Sequence, residues 1–372
     1  MSEEKTIVLD RDTVNSTYPT EGLSPKQKGK YKFTNSVACG GMKMILKMKD
    51  VNTGRHIAMA NMLDSNPPSD TVRQFIREAR INAKLEHPNI VPVHEIGKSS
   101  DNLPYFTMKL INGKTLQDVI ELLKTDNSQY RKKYKVDYLL NVIIKVCDAI
   151  AFAHSRGIIH LDLKPDNILL GRHSEVLLLD WGLARPVKAP LSEDELIINE
   201  DDDEFADLNE LSDMTLNGIT KGTPRYMAPE QAAAQNDARN ERTDIYCLGS
   251  VMYAMMTWEH PVEGENIEEI LNNTINGVII RPRRRARHRK IPKTIEAIIM
   301  KAMALDPVDR YKNVKEMRRD ISLFRQKRAT SIESSSLIKR MVLLPRRNVA
   351  ASIFATLFTG VSIAFAVYAS NH

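Results

Sequence analysis

The sequence predicts an α+β protein of two lobes, a small β-rich lobe followed by a large helical lobe, with one C-terminal transmembrane helix. Residues 31–110 show a pattern of strands with a single helix, whereas helical patterns dominate after residue 115. The 372 residues are enough for a domain of about 250–300 residues plus tails. Residues 349–369 contain no charged side chain over 21 positions, enough to cross a bilayer core of about 30 Å.

The composition is that of a globular protein in a reducing compartment. Hydrophobic residues make up 42% of the chain and charged residues 27%, and the net charge is +6. The three cysteines, Cys39, Cys147 and Cys247, are far apart and predict neither a disulfide framework nor a metal site. Residues 1–30 are polar and lack the apolar core of a signal peptide, so we expect a disordered tail.

The C-terminal stretch predicts a membrane anchor at residues 349–369, preceded by a polar linker at 328–348. Arg346 and Arg347 lie just before it, and basic residues favour the cytoplasmic side of a membrane. We therefore expect a single pass through the inner (cytoplasmic) membrane with the preceding chain in the cytoplasm. A buried core helix is the alternative. The small residues of the stretch are compatible with helix–helix contact, and so with a homodimer.

The region between Ile158 and Gly182 carries the strongest chemical pattern of the chain. Asp162, Asn167 and Asp180 each stand where an apolar strand ends. A strand pair joined by a short turn brings its ends close together. One acid is then placed to act as a base, while the asparagine and the second acid are placed to hold a metal ion.

This stretch, H-L-D-L-K-P-D-N followed by D-W-G, resembles the catalytic loop and metal-binding motif of protein kinases, H-R-D-x-K-P-x-N and D-F-G. The resemblance implies that Asp162 accepts the proton of the substrate hydroxyl and that Lys164 stabilises the transferring phosphoryl group. It further implies that Asn167 and Asp180 coordinate Mg²⁺ and that ATP is the phosphate donor. A lysine two residues after the aspartate implies Ser/Thr acceptors.

Further motifs extend the resemblance over residues 31–327, with the small lobe at 31–110 and the large lobe at 111–327. Residues 222–230, G-T-P-R-Y-M-A-P-E, match the segment that closes the kinase activation loop, here 180–230. The family pattern pairs Glu230 with Arg310, places Asp244 behind the catalytic loop and lets Thr223 support Asp162. The closest resemblance is to bacterial receptor-type Ser/Thr kinases.

Two substitutions in the catalytic region depart from the kinase pattern. Leu161 stands where arginine is usual, and Trp181 stands where phenylalanine is usual. The usual arginine can bind a phosphorylated activation loop, which leucine cannot do. We therefore do not expect activation by that route.

The phosphate-binding part of the small lobe departs further from the pattern. Gly40 and Gly41 lie between two strands, where glycine lets the backbone approach phosphates, but only Gly40 matches the family's glycine-rich loop. Ala60 occupies the position of the lysine that normally holds the α- and β-phosphates. Side chains alternate along a strand, so Asn61 points away and a register shift does not restore the donor.

Lys43 is the candidate replacement for the missing lysine. It lies two residues before Ile45, so in a strand both side chains face the side that covers the adenine. This arrangement is similar to that of the with-no-lysine kinases. The family's ion-pairing acid falls at Glu78, in a helix predicted over residues 70–85, which makes Lys43 its expected partner. The alternative is a solvated surface lysine in a protein that has lost catalysis.

The remaining nucleotide contacts are implied by the resemblance alone. Met108 would line the back of the adenine pocket, and backbone groups near Lys109 and Ile111 would bind the base. Ala58 would belong to the same pocket. A core strand followed by a turn would produce the same sequence pattern.

Two charged segments predict further interactions. Eleven acidic residues and no basic one lie between 192 and 213, while 281–290 is densely basic. We expect either that the two segments pair or that the acidic one is a solvated loop. The basic run could instead bind acidic substrates or the inner leaflet. No aromatic residues interleave it, so no nucleic-acid partner is expected.

The sequence therefore predicts a membrane-anchored Ser/Thr protein kinase that uses ATP and Mg²⁺ and acts on protein substrates. A pseudokinase, which binds nucleotide or partners without phosphotransfer, is the main alternative, because Ala60 and Leu161 both depart from the pattern. A membrane adaptor held only by its charged segments is the third.

Overall fold

The small lobe of the computed structural model is an antiparallel sheet with one helix against it; the structure describes residues 29–40, 43–125, 127–187 and 224–333. Its elements are β1 Tyr31–Gly40, β2 Lys43–Asp50, β3 His56–Met62, α1 Ser69–Lys84, β4 Val93–Lys98 and β5 Pro104–Lys109. The five strands follow the order β1-β2-β3-β5-β4, and helix α1 packs on β4 and β5.

Apolar contacts attach α1 to the sheet. Phe75 and Ala79 lie on the apolar stripe of the helix and are at most 1% exposed. The Phe75 ring is 5.1 Å from that of Phe106 on β5, and Ala60 of β3 belongs to the same apolar cluster. This packing fixes the distance between the helix and the strands, and with it the position of Glu78, which follows Phe75 by almost one helical turn.

A small sheet and a strand pair carry the catalytic region. Strands β6 Gly113–Thr115, β8 Ile168–Gly171 and β9 Val176–Leu178 form one sheet, and β7 Ile158–Ile159 pairs with β10 Arg185–Pro186. The chain between α1 and β4 docks on β9, where Leu178 donates its N–H to the Asn89 carbonyl at 2.8 Å. The two lobes are thus joined through the strand that leads into Asp180.

The large lobe is helical. Its helices are α2 Leu116–Lys124, α3 Ser128–Lys133, α4 Val136–Ser155, α5 Pro229–Ala232, α6 Glu241–Thr257, α7 Ile267–Ile275, α8 Pro282–Arg285, α9 Lys293–Ala302 and α10 Val314–Arg325. Two helices are predicted between residues 115 and 156 and the structure has three, because Asn127 caps the additional short helix α3. Helix α6 is buried at every position from Thr243 to Thr257 and forms the centre of the lobe.

The predicted pair between Glu230 and Arg310 is confirmed. Arg310 donates from Nη1 and Nη2 to the two carboxylate oxygens of Glu230 at 2.7 and 2.8 Å. The Arg310 side chain is 0% exposed and that of Glu230 is 4% exposed. Burial favours the neutral carboxyl, but the bonds from Arg310 outweigh it and lower the pKa of Glu230.

Replacing Arg310 by methionine should lower the free energy of unfolding by about 3–5 kcal/mol, because it leaves a buried carboxylate without its cation. Urea unfolding of the two proteins measures the difference. The matched control is Arg318→Met: Arg318 pairs with Asp148 at 3.2 Å, but both side chains are more than a third exposed. That change should cost about 1 kcal/mol or less. Equal losses in the two variants would contradict the prediction.

The large lobe ends later than predicted. The sequence places the linker at 328–348, yet residues 328–333 pack on the lobe. Thr330 is 1% exposed, and Ser331 donates from its backbone N–H to Asp320 at 2.7 Å. The buried carboxylate of Asp320 needs hydrogen-bond donors such as the Ser331 N–H. The polar composition of the segment does not reveal this requirement.

Within the described ranges 29–40, 43–125, 127–187 and 224–333, no helix is both long and apolar enough to cross a membrane. The predicted transmembrane segment 349–369, the rest of the predicted linker and the tail at 1–28 lie outside the described residues.

Candidate active site

Helix α6 holds the backbone of the catalytic loop through hydrogen bonds to Asp244. The carboxylate of Asp244 accepts the backbone N–H groups of His160 and Leu161, both at 2.9 Å. Asp244 is 0% exposed, and although burial favours its neutral form, the bonds from His154 and the loop lower its pKa. The expected role of Asp244 as a brace of the loop is confirmed.

Two further supports of this loop were not indicated by the sequence. Gln231 donates from Nε2 to the Leu161 carbonyl at 2.8 Å, and His154 bonds to Asp244 through Nε2 at 2.7 Å. The spacing of His154 fits the apolar stripe of α4, so the sequence pattern gives no sign of this polar contact. Gln231 directly follows A-P-E, and that position is the only sequence signal that could have indicated it.

Leu161 adopts a left-handed backbone conformation with φ of 65°, which is costly for a residue with a side chain. The bonds from Asp244 and Gln231 hold it there. Its side chain is 6% exposed, so it packs in the protein interior. The usual function of an arginine at this position, contact with a phosphate, has no counterpart in a buried leucine.

Asp162, Lys164 and Asn167 form a compact hydrogen-bonded group. Lys164 Nζ lies 2.8 Å from Asp162 Oδ2, and Asn167 Nδ2 donates to the same oxygen at 3.0 Å and to the Asp162 carbonyl at 2.8 Å. Burial raises the pKa of Asp162, and Lys164 opposes the shift. The result is an oriented carboxylate of raised basicity beside a cation, as proton acceptance near a phosphoryl group requires.

His160 supports the site from the interior. It is 0% exposed, its ring lies 4.6 Å from that of Trp181, and its Nε2 is 3.2 Å from the Leu179 carbonyl. Its Nδ1 accepts the N–H of Asp162 at 3.2 Å. Burial lowers its pKa. His160 is thus a packing residue beneath Asp180, and Trp181 fills the interior position next to it.

Lys43 lies between two acids that are distant in sequence. Its Nζ forms an ion pair with Glu78 Oε1 and contacts Asp180 Oδ1 at 3.1 Å. In the sheet, Lys43 of β2 lies opposite Met62 of β3, two residues beyond Ala60. Ala60 itself is 0% exposed and lies among apolar side chains. The predicted pairing of Lys43 with Glu78 is confirmed, whereas its contact with ATP stays a prediction.

The Lys43 ammonium group thus contacts two carboxylates, and this arrangement shifts the pKa values of all three groups. Burial favours the neutral amine, but Glu78 and Asp180 outweigh it and raise the pKa of Lys43. Burial raises the pKa of Glu78 to about 7 despite Lys43. Burial acts on Asp180 in the same direction, but Lys43 lowers the pKa of that more exposed carboxylate. Asp180 therefore stays ionised and Glu78 is the member that gains a proton most easily.

The turn after Asp180 is shaped by this cluster. A Cβ atom at Gly182 would lie 3.3 Å from both Asp180 Oδ1 and Glu78 Oε2, so a side chain there would crowd the two carboxylates. Gln74 of α1 donates to the Gly182 carbonyl at 3.2 Å. Helix α1 thus contacts both the carboxylate cluster and the backbone that follows it.

The predicted nucleotide-binding residues lie on neighbouring strands of the small lobe and the segment that follows. Ala58 pairs with Met108, and the N–H of Lys109 donates to Pro92 at 3.1 Å. Ile45 lies opposite Ala60, and Gly40 opposite Lys43. Ile111 follows β5 and is half-buried. Gly41 lies outside the described residues, and nucleotide binding by this set stays a prediction.

The donor groups of Asn167 and Asp180 fit Mg²⁺. Within the part of the chain that the structure describes, Asn167 uses Nδ2 for Asp162 and keeps Oδ1 as an acceptor, and Asp180 uses Oδ1 for Lys43. Mg²⁺ prefers oxygen ligands and usually takes one or two from protein side chains, with phosphates and water completing the shell. The fit supports the prediction of these two residues as metal ligands.

Thr223 and the acidic segment 192–213 lie outside the described residues, so the predicted pairing with the basic run 281–290 has only one described side. Within that run, Arg285 forms an ion pair with Glu263, and the Arg289 guanidinium lies 3.5 Å from the centroid of the Trp258 ring.

A two-lobed α+β fold, with a lysine–glutamate pair in one lobe and an Asp-Lys-Asn loop in the other, defines the protein kinase class. A family model described as "Protein kinase domain" matches residues 31–320. The chain therefore belongs to the protein kinase domain family.

Curated relatives include serine/threonine-protein kinases called PknD. The PknD protein of Chlamydia abortus is 36% identical over 295 residues, which cover 78% of this chain and 30% of the relative. Those of Protochlamydia amoebophila and Chlamydia trachomatis serovar D are 33% and 32% identical, over 82% and 80% of this chain and 31% and 32% of their own. The chain thus spans about a third of the length of these relatives.

Proposed function

We propose that this protein is a Ser/Thr protein kinase that transfers the γ-phosphate of Mg-ATP to protein hydroxyl groups, with Lys43 in place of the lysine missing at position 60. The ion pairs of Lys43 with Glu78 and Asp180 carry the proposal. They support it because the Lys43 ammonium lies next to the carboxylate of Asp180, which is a proposed Mg²⁺ ligand. The relatives named serine/threonine-protein kinases support the same activity.

The proposed step divides the work among residues on both sides of the cleft. Asp162 orients the acceptor hydroxyl and takes its proton, and Lys164 and Lys43 stabilise the phosphoryl charge. Asn167 and Asp180 would hold Mg²⁺, which neutralises charge on the phosphates when it is bound. Lys164 is two residues from Asp162, and this spacing favours Ser/Thr acceptors.

We further propose that residues 349–369 anchor the chain in the inner membrane, with the kinase lobes on the cytoplasmic side. The support is the uncharged 21-residue stretch and the arginines that precede it. The anchor is tested by alkaline carbonate extraction of membranes from cells expressing the full chain. Recovery in the supernatant would refute it.

Transfer of labelled γ-phosphate to the protein itself or to a generic basic protein tests the kinase proposal. The full chain should label in the presence of Mg²⁺, and chelation should abolish labelling while refilling with Mg²⁺ restores it. Nucleotide binding without any transfer would instead identify a pseudokinase, the function that Ala60 and Leu161 would favour.

A further inference from the structure

A basic surface on the large lobe has no part in the proposed reaction. We define the basic ridge as the exposed side chains of Arg281, Arg283, Arg284, Arg287 and Lys290. None of these side chains forms an ion pair or hydrogen bond with another residue in the described ranges 29–40, 43–125, 127–187 and 224–333. Five cations therefore face solvent together.

The backbone beneath the ridge is fixed by packing. Glu296 accepts the N–H of Arg283 at 2.8 Å, and Ala286 is 0% exposed. Arg289 points inward and stacks on Trp258. The backbone that carries the exposed basic side chains is thus fixed by packing on the large lobe.

Apolar side chains adjoin the ridge. Val278 and Ile280 directly precede it and are 54% and 43% exposed, while Ile279 between them packs against the core. The Ile280 carbonyl accepts a hydrogen bond from Tyr253 at 2.8 Å, which holds the segment against α6. Exposed aliphatic groups beside a row of arginines match the interface of an anionic bilayer, where apolar groups and headgroups lie next to each other.

The C-terminal end of the described chain lies near the ridge. Thr294, four residues after Lys290, donates to Glu333 at 2.6 Å, and Glu333 is the last described residue. Residues 334–348 connect it to the proposed anchor. Fifteen residues span at most about 50 Å whatever their conformation. The proposed anchor therefore keeps Glu333, and with it the neighbouring ridge, within about 50 Å of the bilayer.

We infer that the basic ridge, with Val278 and Ile280, docks on the anionic inner surface of the membrane that holds the anchor. The inference rests on the anchoring part of the proposed function. Arginine and lysine side chains within a Debye length of anionic headgroups are attracted to them, and this length is about 10 Å at 0.1 M salt. The contact orients the kinase lobes relative to the membrane.

Hydrogen exchange of the full chain in lipid nanodiscs tests the inference. Amides of residues 278–290 should exchange several-fold more slowly in discs containing phosphatidylglycerol than in discs of phosphatidylcholine alone, and high salt should remove the difference. Each basic side chain strengthens binding to an anionic surface about fivefold, so the triple change Arg281→Gln, Arg283→Gln, Arg287→Gln should weaken docking about a hundredfold and abolish the slowing.

The matched control removes three exposed charges from the small lobe, Lys32→Gln, Lys49→Gln and Arg55→Gln, and should leave the slowing intact. Equal exchange in the two kinds of disc would overturn the inference. Salt-sensitive protection that is already complete in neutral discs would also overturn it, because it would indicate an acidic segment of protein on the ridge.

The experiments distinguish an error in the proposed membrane anchoring from an error in the proposed docking of the ridge. A chain that does not enter discs refutes the anchoring. Sedimentation of the same chain with phosphatidylglycerol vesicles then decides the ridge. Vesicle binding that is lost in the triple variant of Arg281, Arg283 and Arg287, and kept in the small-lobe control variant, supports the docking. Absence of vesicle binding by the unchanged chain overturns it.

Discussion

Replacing Lys43 by alanine is expected to lower kcat/KM for γ-phosphate transfer about 10²- to 10³-fold, the usual cost of removing one preorganised charged donor at a reacting group. Lys43 supplies the ammonium that contacts Glu78 and Asp180, and Ala60 has no group that could replace it. The variant should also leave Glu78 and Asp180 as two facing carboxylates. Transfer assays over a range of ATP concentrations measure the loss.

The matched control for this prediction is Lys47→Ala. Lys47 lies on the same strand with the same side-chain parity, but it is paired with Ala58 and lies four residues further from the glycine-rich end. It should keep activity within about threefold, since surface changes usually cost within 0.5 kcal/mol. Loss of transfer in Lys47→Ala with activity kept in Lys43→Ala would show that the wrong lysine had been assigned.

Asp162→Asn is expected to lower kcat about 10²- to 10⁴-fold, the range for removal of a general base, with little change in ATP affinity. Asparagine preserves the shape of the side chain and can still bond to Lys164 and Asn167, but it cannot take the proton of the acceptor hydroxyl. Nucleotide binding and phosphate transfer are measured separately, because a selective loss of transfer is the signature of a residue that acts in the chemical step.

Asp166→Asn is the control for Asp162. It removes a carboxylate from the same loop, but Asp166 is exposed. Its transfer rate should stay close to that of the unchanged protein. If Asp162→Asn retained full transfer, the assignment of the base would be wrong. An unchanged protein that bound ATP and transferred nothing would be a pseudokinase.

In the catalytic region, the sequence pattern predicted which residues lie close together. The positions of Asp162, Asn167 and Asp180 at strand ends predicted that they lie close together, because a strand pair brings its ends together. The kinase resemblance added Lys164 to this group. The pairings of Glu230 with Arg310 and of Lys43 with Glu78 were likewise predicted and are present. In each case a local motif placed the partners, and the rest of the fold had only to retain them.

The predictions that were incomplete concern contacts made by residues with no distinctive local pattern. Gln231 holds Leu161 from 70 positions away, and His154 holds Asp244 from 90 positions away. Ser331 completes the hydrogen bonds of Asp320. Each is a polar residue that forms a hydrogen bond with a buried group. Which polar residue comes within reach of that group depends on which elements pack together.

By itself, the sequence determined the two-lobed α+β architecture and the residues that carry the proposed chemistry, because strand alternation, helical spacing and short motifs act over a few residues. Only the tertiary structure decided that one ammonium, at Lys43, stands between Glu78 and Asp180. That sharing requires three elements to converge, and the position of the helix that carries Glu78 is set by the packing of Phe75 and Phe106. The physical reason is that electrostatic coupling depends on distance and burial, which no local pattern encodes.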